Sequence, residues 1–156
     1  RISSEFAVRE DYGFDVVREL PFTIDPRKGP FDAEIDTTSF TSADTYTVRE
    51  YLPAEFSVVD SGGAKITTEE DTKVLEWNNV ENGSSVGYSF NTPEIWPYLY
   101  NLGRIEVEYQ EDGRTETFTE FRNWQLAVDP VAGYFSDSVD WNAVSDRLES
   151  LLDGFE

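Results

Sequence analysis

The sequence contains no cysteine, no histidine and no methionine among its 156 residues. Without cysteine no disulfide can form, and without cysteine or histidine the chain cannot build the usual zinc sites, a thiol nucleophile or a Ser-His-Asp triad. No apolar run approaches the ~18 residues of a membrane-spanning helix, so we expect no direct insertion of this chain into a membrane. Because methionine is missing, we expect a processed form or a part of a longer protein.

Positive charge is scarce as well. The chain has 12 Lys and Arg residues against 32 Asp and Glu residues, which gives a formal net charge of −20. Nucleic acid is therefore not an expected partner, because its binding depends on neutralising phosphates with basic side chains. Self-repulsion of this size is tolerated best in concentrated salt, where the Debye length falls to about 3 Å at 1 M. The charge balance favours a halophilic source, and an ordinary acidic protein is the alternative.

Aromatic residues are abundant, at 15% of the chain, and they indicate a folded core despite the charge. Short segments of alternating apolar residues are separated by Gly, Asn, Asp and Pro, which is typical of antiparallel strands with one wet face. The predicted strands are 45–52, 56–59, 73–77, 85–90, 104–109, 115–121 and 124–128. We predict a mostly β fold, an immunoglobulin-like antiparallel β-sandwich with a C-terminal α-helix.

This pattern divides the chain into three parts. Residues 1–29 are predicted to form either a first strand pair or an extended arm, and 30–130 the sandwich. Residues 136–156 are predicted to form an amphipathic helix, because Val144 and Leu148 begin an apolar series with helical spacing.

The stretch TVREYLPAEFSVVD, residues 47–60, combines a strand, a Leu-Pro pair and a second strand. Proline has no N–H for a sheet ladder, so Pro53 is predicted to end the first strand. Tyr51 and Leu52 are then expected to plug the end of the sandwich, and Phe56 to start the return. The Leu-Pro pair is interpreted as a corner and not as a catalytic device.

Further turns and strand ends with characteristic residues follow that corner. The features concerned are Leu52-Pro53, Gly62-Gly63, Trp77-Asn78, Gly83-Ser84 and the aromatic run from Tyr88 to Pro93. Over residues 45–108 the chain thereby resembles the conserved-repeat immunoglobulin-like domains of prokaryotic surface and S-layer-type proteins, with a haloarchaeal source suggested by the composition. The resemblance implies a sandwich fold and a role as spacer, wall-layer module or adhesin stalk, without shared catalytic residues. The Asn-Thr-Gly turn common in that family is missing, and the predicted helix lies outside its pattern.

Carboxylates are the remaining chemical equipment, and paired acids could in principle hydrolyse glycosides. In so acidic a chain such pairs arise by accident, and we do not expect an enzyme. Ca²⁺ is the one cofactor considered, with Glu69, Glu70 and Asp71 as candidate ligands, although they lack the spacing of a calcium loop with its central Gly. A solvated acidic loop is the favoured alternative. Asn82 opens an Asn-Gly-Ser sequon in a predicted turn and is a candidate glycosylation site.

The connection 95–100 carries the most concentrated apolar side chains, with Ile95, Trp96, Tyr98 and Tyr100 as a candidate interaction surface. If it is exposed, it is a contact surface; if it is buried, it is a plug under the sandwich, which is the favoured prediction. Trp77 is predicted to be a core residue.

Together these observations predict a structural or assembly module of an extracellular cell-surface protein, in a surface layer, stalk or filament of a halophilic microbe, with archaea favoured. The alternative is a non-catalytic module of a secreted protein that binds carbohydrate or Ca²⁺. The expected partners are other copies or neighbouring domains of a surface protein, reached for example by strand donation from the N-terminal arm.

Overall fold

A computed structural model of the chain describes residues 13–131 and, beyond them, Glu149. Within residues 13–131 the chain forms twelve strands: β1 Phe14–Glu19, β2 Thr23–Ile24, β3 Phe31–Ser39, β4 Thr45–Pro53, β5 Ser57–Asp60, β6 Lys65–Glu69, β7 Thr72–Glu81, β8 Ser85–Asn91, β9 Tyr98–Leu102, β10 Glu106–Glu111, β11 Arg114–Thr119 and β12 Trp124–Val128. In this part of the chain no helix is long and apolar enough to cross a membrane. The helix predicted over 136–156 lies outside the described residues, apart from Glu149.

Two antiparallel sheets form the body of the fold and confirm the predicted β-sandwich. The first sheet has the order β1-β3-β8-β5, and the second has the order β11-β10-β4-β7-β6. Their inward positions meet in one apolar core, where Trp77 of the second sheet lies 6.1 Å from Tyr88 of the first, measured between ring centroids. Trp77 is 4% exposed and its indole N–H donates to the Gly62 carbonyl at 3.2 Å, which confirms the prediction of a core residue.

A third, smaller sheet completes the described fold. Strand β12 lies at its centre, parallel to β2 and antiparallel to β9. The N–H of Gly103, just after β9, donates to the Tyr51 carbonyl at 3.1 Å and ties this sheet to β4. Strands β1 and β2 therefore pair inside the domain, and the described part of the predicted N-terminal segment 1–29 is not a free arm.

Strand β4 and the corner that follows it largely match the prediction, but Tyr51 does not plug the sandwich: it is half-buried on the outer face of the second sheet, and its hydroxyl donates to Glu106 Oε2 at 2.7 Å. Tyr46, Val48 and Leu52 alternate into the core and are at most 4% exposed. Pro53 is the last residue of the strand, and its carbonyl accepts the N–H of Phe56 at 3.1 Å. Because β5 belongs to the other sheet, the corner carries the chain across the sandwich.

The strand pattern differs from the prediction in several places, and strands β3 and β6 are not among the predicted ones. Asn79, expected to lie beyond the end of a strand, sits inside β7 with φ of 55°. The pairing of β4 with β7 shifts register between Tyr46 and Val48, so the Asn-Asn pair marks a β-bulge. Residues 95–100 are predicted to form a connection between strands, but Tyr98–Leu102 forms strand β9, in which Tyr100 and Leu102 face the core.

Candidate functional site

Four large apolar side chains lie exposed at the beginning of β9 and in the connection before it. Ile95, Trp96, Tyr98 and Leu99, here called the apolar ridge, are 55%, 44%, 49% and 54% exposed. The favoured prediction of a buried plug is wrong for them, because Tyr100 and Leu102 already occupy the inward positions of β9. Tyr100, grouped with the candidate surface, is 4% exposed and belongs to the core.

The ridge is held from below and from one side. The ring of Tyr98 lies 4.4 Å from that of Tyr100, which in turn packs edge-on against Phe56 at 4.8 Å. The Arg27 guanidinium sits 5.4 Å from the centroid of the Trp96 ring, within cation–π range. Arg27 also grips Asp25 with two N–H···O bonds of 3.0 Å and holds the pKa of that carboxyl below its usual range. The positive charge beside the ridge is thus matched by a carboxylate.

A charged network lies buried between the two large sheets. Glu50 is an inward residue of β4 with 0% exposure, and its Oε1 accepts from Arg18 Nη2 at 2.7 Å and from the Tyr51 N–H at 3.2 Å. Arg18 Nη2 also donates to the Gly103 carbonyl at 2.6 Å, and the Tyr88 hydroxyl donates to the second Glu50 oxygen at 3.4 Å. This network joins all three sheets. The sequence contained its signal, since Glu50 shares the parity of Tyr46 and Val48.

Burial raises the pKa of Glu50 to about 7, against the opposing pull of Arg18. The same burial, with the neighbouring carboxyl of Glu50, raises the pKa of Tyr88 well above its usual value. A perturbed carboxyl can mark an active site when it faces a cleft. Glu50 lines neither the side cavity nor the depression on the first sheet. Its contacts link strands of different sheets, which is a structural role.

A side cavity of about 270 Å³ opens between the edge strand β1 and the segment that joins β11 to β12. Its lining residues come from these two segments and from two short connections: Val16, Val17, Arg18, Phe22, Ile105, Glu120, Arg122, Asn123 and Trp124. Two hydrogen bonds fix the segments to each other. The Glu120 N–H donates to the Ile105 carbonyl at 2.8 Å, and Arg122 Nη2 donates to the Val16 carbonyl at 3.0 Å.

The wall of this side cavity combines charge with a flat apolar surface. Glu120 Oε1 accepts from the backbone N–H and the Nε of Arg122 at 3.2 and 2.7 Å, whereas its Oε2 is buried without a partner. The Nε of Arg18 is likewise buried and unpartnered. Phe22 stacks on Trp124 with 4.3 Å between centroids and 10° between planes. Sequence reasoning missed this site, because its parts are more than 100 residues apart in the chain and none forms a motif.

The outer faces of the two large sheets carry their charge differently. A broad, open depression of about 610 Å³ on the first sheet is lined in part by Glu19, Asp32, Glu34 and Asp60, and its described lining includes no basic residue. On the second sheet Arg49 bridges Glu76 at 2.7 Å and Glu108 at 3.0 Å. The first face is therefore a solvated acidic surface, whereas on the second Arg49 partly offsets the charge of Glu76 and Glu108.

The predicted calcium ligands lie at an exposed turn. Glu69 ends β6, and Glu70 and Asp71 connect it to β7, with Glu70 at φ of 51°. Among the described residues no group of three or more acidic side chains comes together in a way that could hold a metal ion. The calcium prediction therefore receives no structural support and stays a prediction.

The predicted glycosylation site lies in the turn between β7 and β8. The Oδ1 of Asn82 accepts the Ser39 N–H at 2.7 Å, and its Nδ2, the atom that would carry a glycan, donates to the Ser39 carbonyl at 3.4 Å. The residue is exposed, but its carboxamide already replaces a strand partner of Ser39. Glycosylation of Asn82 stays a prediction.

Glycoside hydrolysis would need two carboxyl groups flanking one bound sugar. In the described part of the chain the side cavity offers one, Glu120, and the carboxylates around the depression on the first sheet stand on an open surface. The described lining of the side cavity therefore contains one carboxylate and not a pair.

No protein-family model and no curated protein matches the chain. Among solved structures, the fold is similar to that of a cohesin module from a family 33 glycoside hydrolase of Clostridium perfringens, with a TM-score of 0.50. The two sequences are 15% identical, and the match covers 74% of this chain and 96% of that module. At this identity the likeness shows the fold alone.

Proposed function

We propose that the chain is a non-catalytic structural module of an extracellular cell-surface protein from a halophilic microbe, and that copies of it associate through the apolar ridge. The observation that carries the proposal is the exposure of Ile95, Trp96, Tyr98 and Leu99 within five residues. Clustered apolar side chains of this kind mark contact surfaces. The resemblance to conserved-repeat surface domains supports the cell-surface setting. The likeness in fold to a cohesin module supports the role as a module of a larger protein.

The chemistry around the ridge suits a contact between like copies. Trp96 and Tyr98 are rigid aromatic side chains, which supply contact area at a low cost in conformational entropy. Arg27, the cation that lies over the Trp96 ring, is matched by Asp25, so docking on that side does not bury an uncompensated cation. An apolar contact between copies at Trp96 therefore does not leave the Arg27 guanidinium buried and unpaired.

The net charge sets the conditions for association. Two copies, each with a formal charge of −20, repel each other in dilute buffer. At about 1 M salt the repulsion is screened beyond about 3 Å, whereas apolar association does not depend on charge. We therefore expect association to appear as NaCl is raised.

Light scattering coupled to size-exclusion chromatography, from dilute buffer to several molar NaCl, tests the proposal. The parent chain should gain molar mass with salt, and the double variant Trp96→Ser/Leu99→Ser should stay monomeric. Phe40→Ser is the matched control, because Phe40 is 66% exposed but lies in the connection between β3 and β4. The assembly role is refuted if the parent remains a monomer at every salt concentration, or if the double variant assembles like the parent.

A further inference from the structure

We infer that the side cavity binds a single neutral pyranose ring, with hydroxyl groups bridging Glu120 and Arg18 and an apolar ring face against the Phe22–Trp124 stack. This inference is independent of the assembly proposal, because it uses none of the residues of the apolar ridge. It gives a specific site to the alternative function, a carbohydrate-binding module.

In the polar part of the wall, one acceptor, Oε2 of Glu120, and one donor, Nε of Arg18, have no hydrogen-bond partner. The Glu120 side chain is only 5% exposed. Its Oε1 accepts both hydrogen bonds from Arg122, whereas its Oε2 accepts none. The Arg18 side chain is 6% exposed, and its Nη2 serves Glu50 and Gly103 while Nε serves nothing. Buried polar groups in native proteins are normally hydrogen-bonded. A hydroxyl group can donate to the carboxylate and accept from the guanidinium, so sugar hydroxyls suit both unpartnered atoms.

The apolar part of the wall matches the other side of a sugar. Phe22 is 69% exposed and lies parallel to Trp124, and the Trp124 indole N–H is anchored on the Pro21 carbonyl at 3.3 Å. Stacking leaves the outer face of one ring free as a flat apolar surface, and a pyranose has an apolar C–H face with its hydroxyl groups around the rim. At about 270 Å³ the cavity is slightly smaller than the roughly 300 Å³ at which ligand pockets usually begin. It has room for one ring, with further sugar units left outside.

Charge distinguishes neutral from acidic sugars. Arg18 is paired with Glu50, and Glu120 with Arg122, so neither cation of the wall is left to balance an incoming carboxylate. The net charge of −20 repels anions in addition. A neutral hexose is therefore favoured over a uronic or sialic acid.

Nuclear magnetic resonance of the ¹⁵N-labelled whole chain tests this site. Methyl glycosides of glucose, galactose and mannose are titrated in separate experiments, and methyl glucuronide serves as the acidic probe. At least one neutral glycoside should shift the Trp124 indole N–H signal in a saturable way and leave the Trp96 indole signal unchanged. The glucuronide should produce no saturable shift. A shift of both indoles, or preferential binding of the glucuronide, overturns the assignment.

Variants connect the shift to the proposed contacts. Glu120→Gln should weaken binding about tenfold or more, because Arg122 holds the amide oxygen and the amide N–H₂ then faces the sugar in place of an acceptor. Glu76→Gln, which changes an Arg-paired carboxylate on the second sheet, should leave affinity unchanged. If Glu120→Gln does not fold, Phe22→Ala decides, since Phe22 is largely exposed and its removal opens no core. Absence of any saturable shift, or parent-like affinity in the decisive variant, means that the cavity holds only water.

Discussion

Replacing Glu50 with glutamine tests how the sandwich tolerates an ionisable group at its centre. Glutamine keeps an oxygen for the bonds from Arg18 and the Tyr51 N–H, and its amide nitrogen can donate to the Tyr88 hydroxyl. The variant therefore reproduces the protonated form of Glu50, and it differs from the parent wherever Glu50 is ionised.

The magnitude follows from the pKa of Glu50, which burial raises from 4.5 to about 7. Because the folded state binds this proton more tightly than the unfolded chain, the stabilising contribution is complete below pH 4.5 and is lost as the pH rises through 7. At about 1.4 kcal/mol for each pH unit, the loss approaches about 3 kcal/mol. We expect Glu50→Gln to match the parent in acid and to exceed its free energy of unfolding by up to that amount in alkali.

Urea unfolding at constant high NaCl, from about pH 5 to about pH 9, measures the difference. Glu76→Gln is the control, because Arg49 lowers the pKa of Glu76 and its contribution is lost only as the pH falls through that lower value. The control and the parent should therefore run parallel over this range. Parallel curves for the parent and Glu50→Gln would refute the reasoning. So would a loss of about 3–5 kcal/mol in the variant at alkaline pH, which is the usual result of breaking a buried ion pair.

Four further substitutions test the packing and the surface ion pairs. Gly62→Ala should lower the free energy of unfolding by more than about 2 kcal/mol, because its Cβ would lie 1.9 Å from the Gly87 carbonyl oxygen at φ of 57°. Gly63→Ala, with open space at φ of 86°, should lower it by about 1 kcal/mol. Equal losses of the two variants in urea unfolding would contradict the steric argument. Arg49→Met should cost about 1 kcal/mol or less in dilute buffer and still less in molar NaCl, since both of its ion pairs are partly exposed; a loss independent of salt would contradict this. Leu126→Ala, at 0% exposure, should cost about 2–5 kcal/mol in thermal unfolding, and a loss below about 1 kcal/mol would show that the third sheet is not part of the common core.

The sequence predicted those parts of the fold that depend on local chemistry. Alternation identified the inward residues of β4, and the missing N–H of Pro53 identified the end of that strand. Strand β12 was predicted with its observed bounds, because 124–128 is a short apolar run between polar loops. The type of fold follows from many such segments, each of which is readable by itself.

The sites depend on contacts between distant segments, which alternation does not report. Nothing local to Glu50 shows that Arg18 will meet it, since the two lie 32 residues apart. The apolar ridge was predicted as a plug because its apolar character suggested burial, yet Tyr100 and Leu102 had already filled the inward positions of β9. Asn79 was interpreted as a strand end because a β-bulge and a turn favour the same residue. Competition for places in the core decides such cases, and it becomes visible only when the sheets are assembled.

The hydrogen bond from Arg122 to the Val16 carbonyl bears on how copies of the chain behave when they are crowded. A bare sheet edge is a template on which foreign strands add, and such addition is the route to amyloid fibrils. Here a guanidinium occupies part of the β1 edge, so a strand donated by a neighbour would first have to displace it. Strand addition at the β1 edge would therefore cost the Arg122–Val16 hydrogen bond, a cost that a bare edge does not impose.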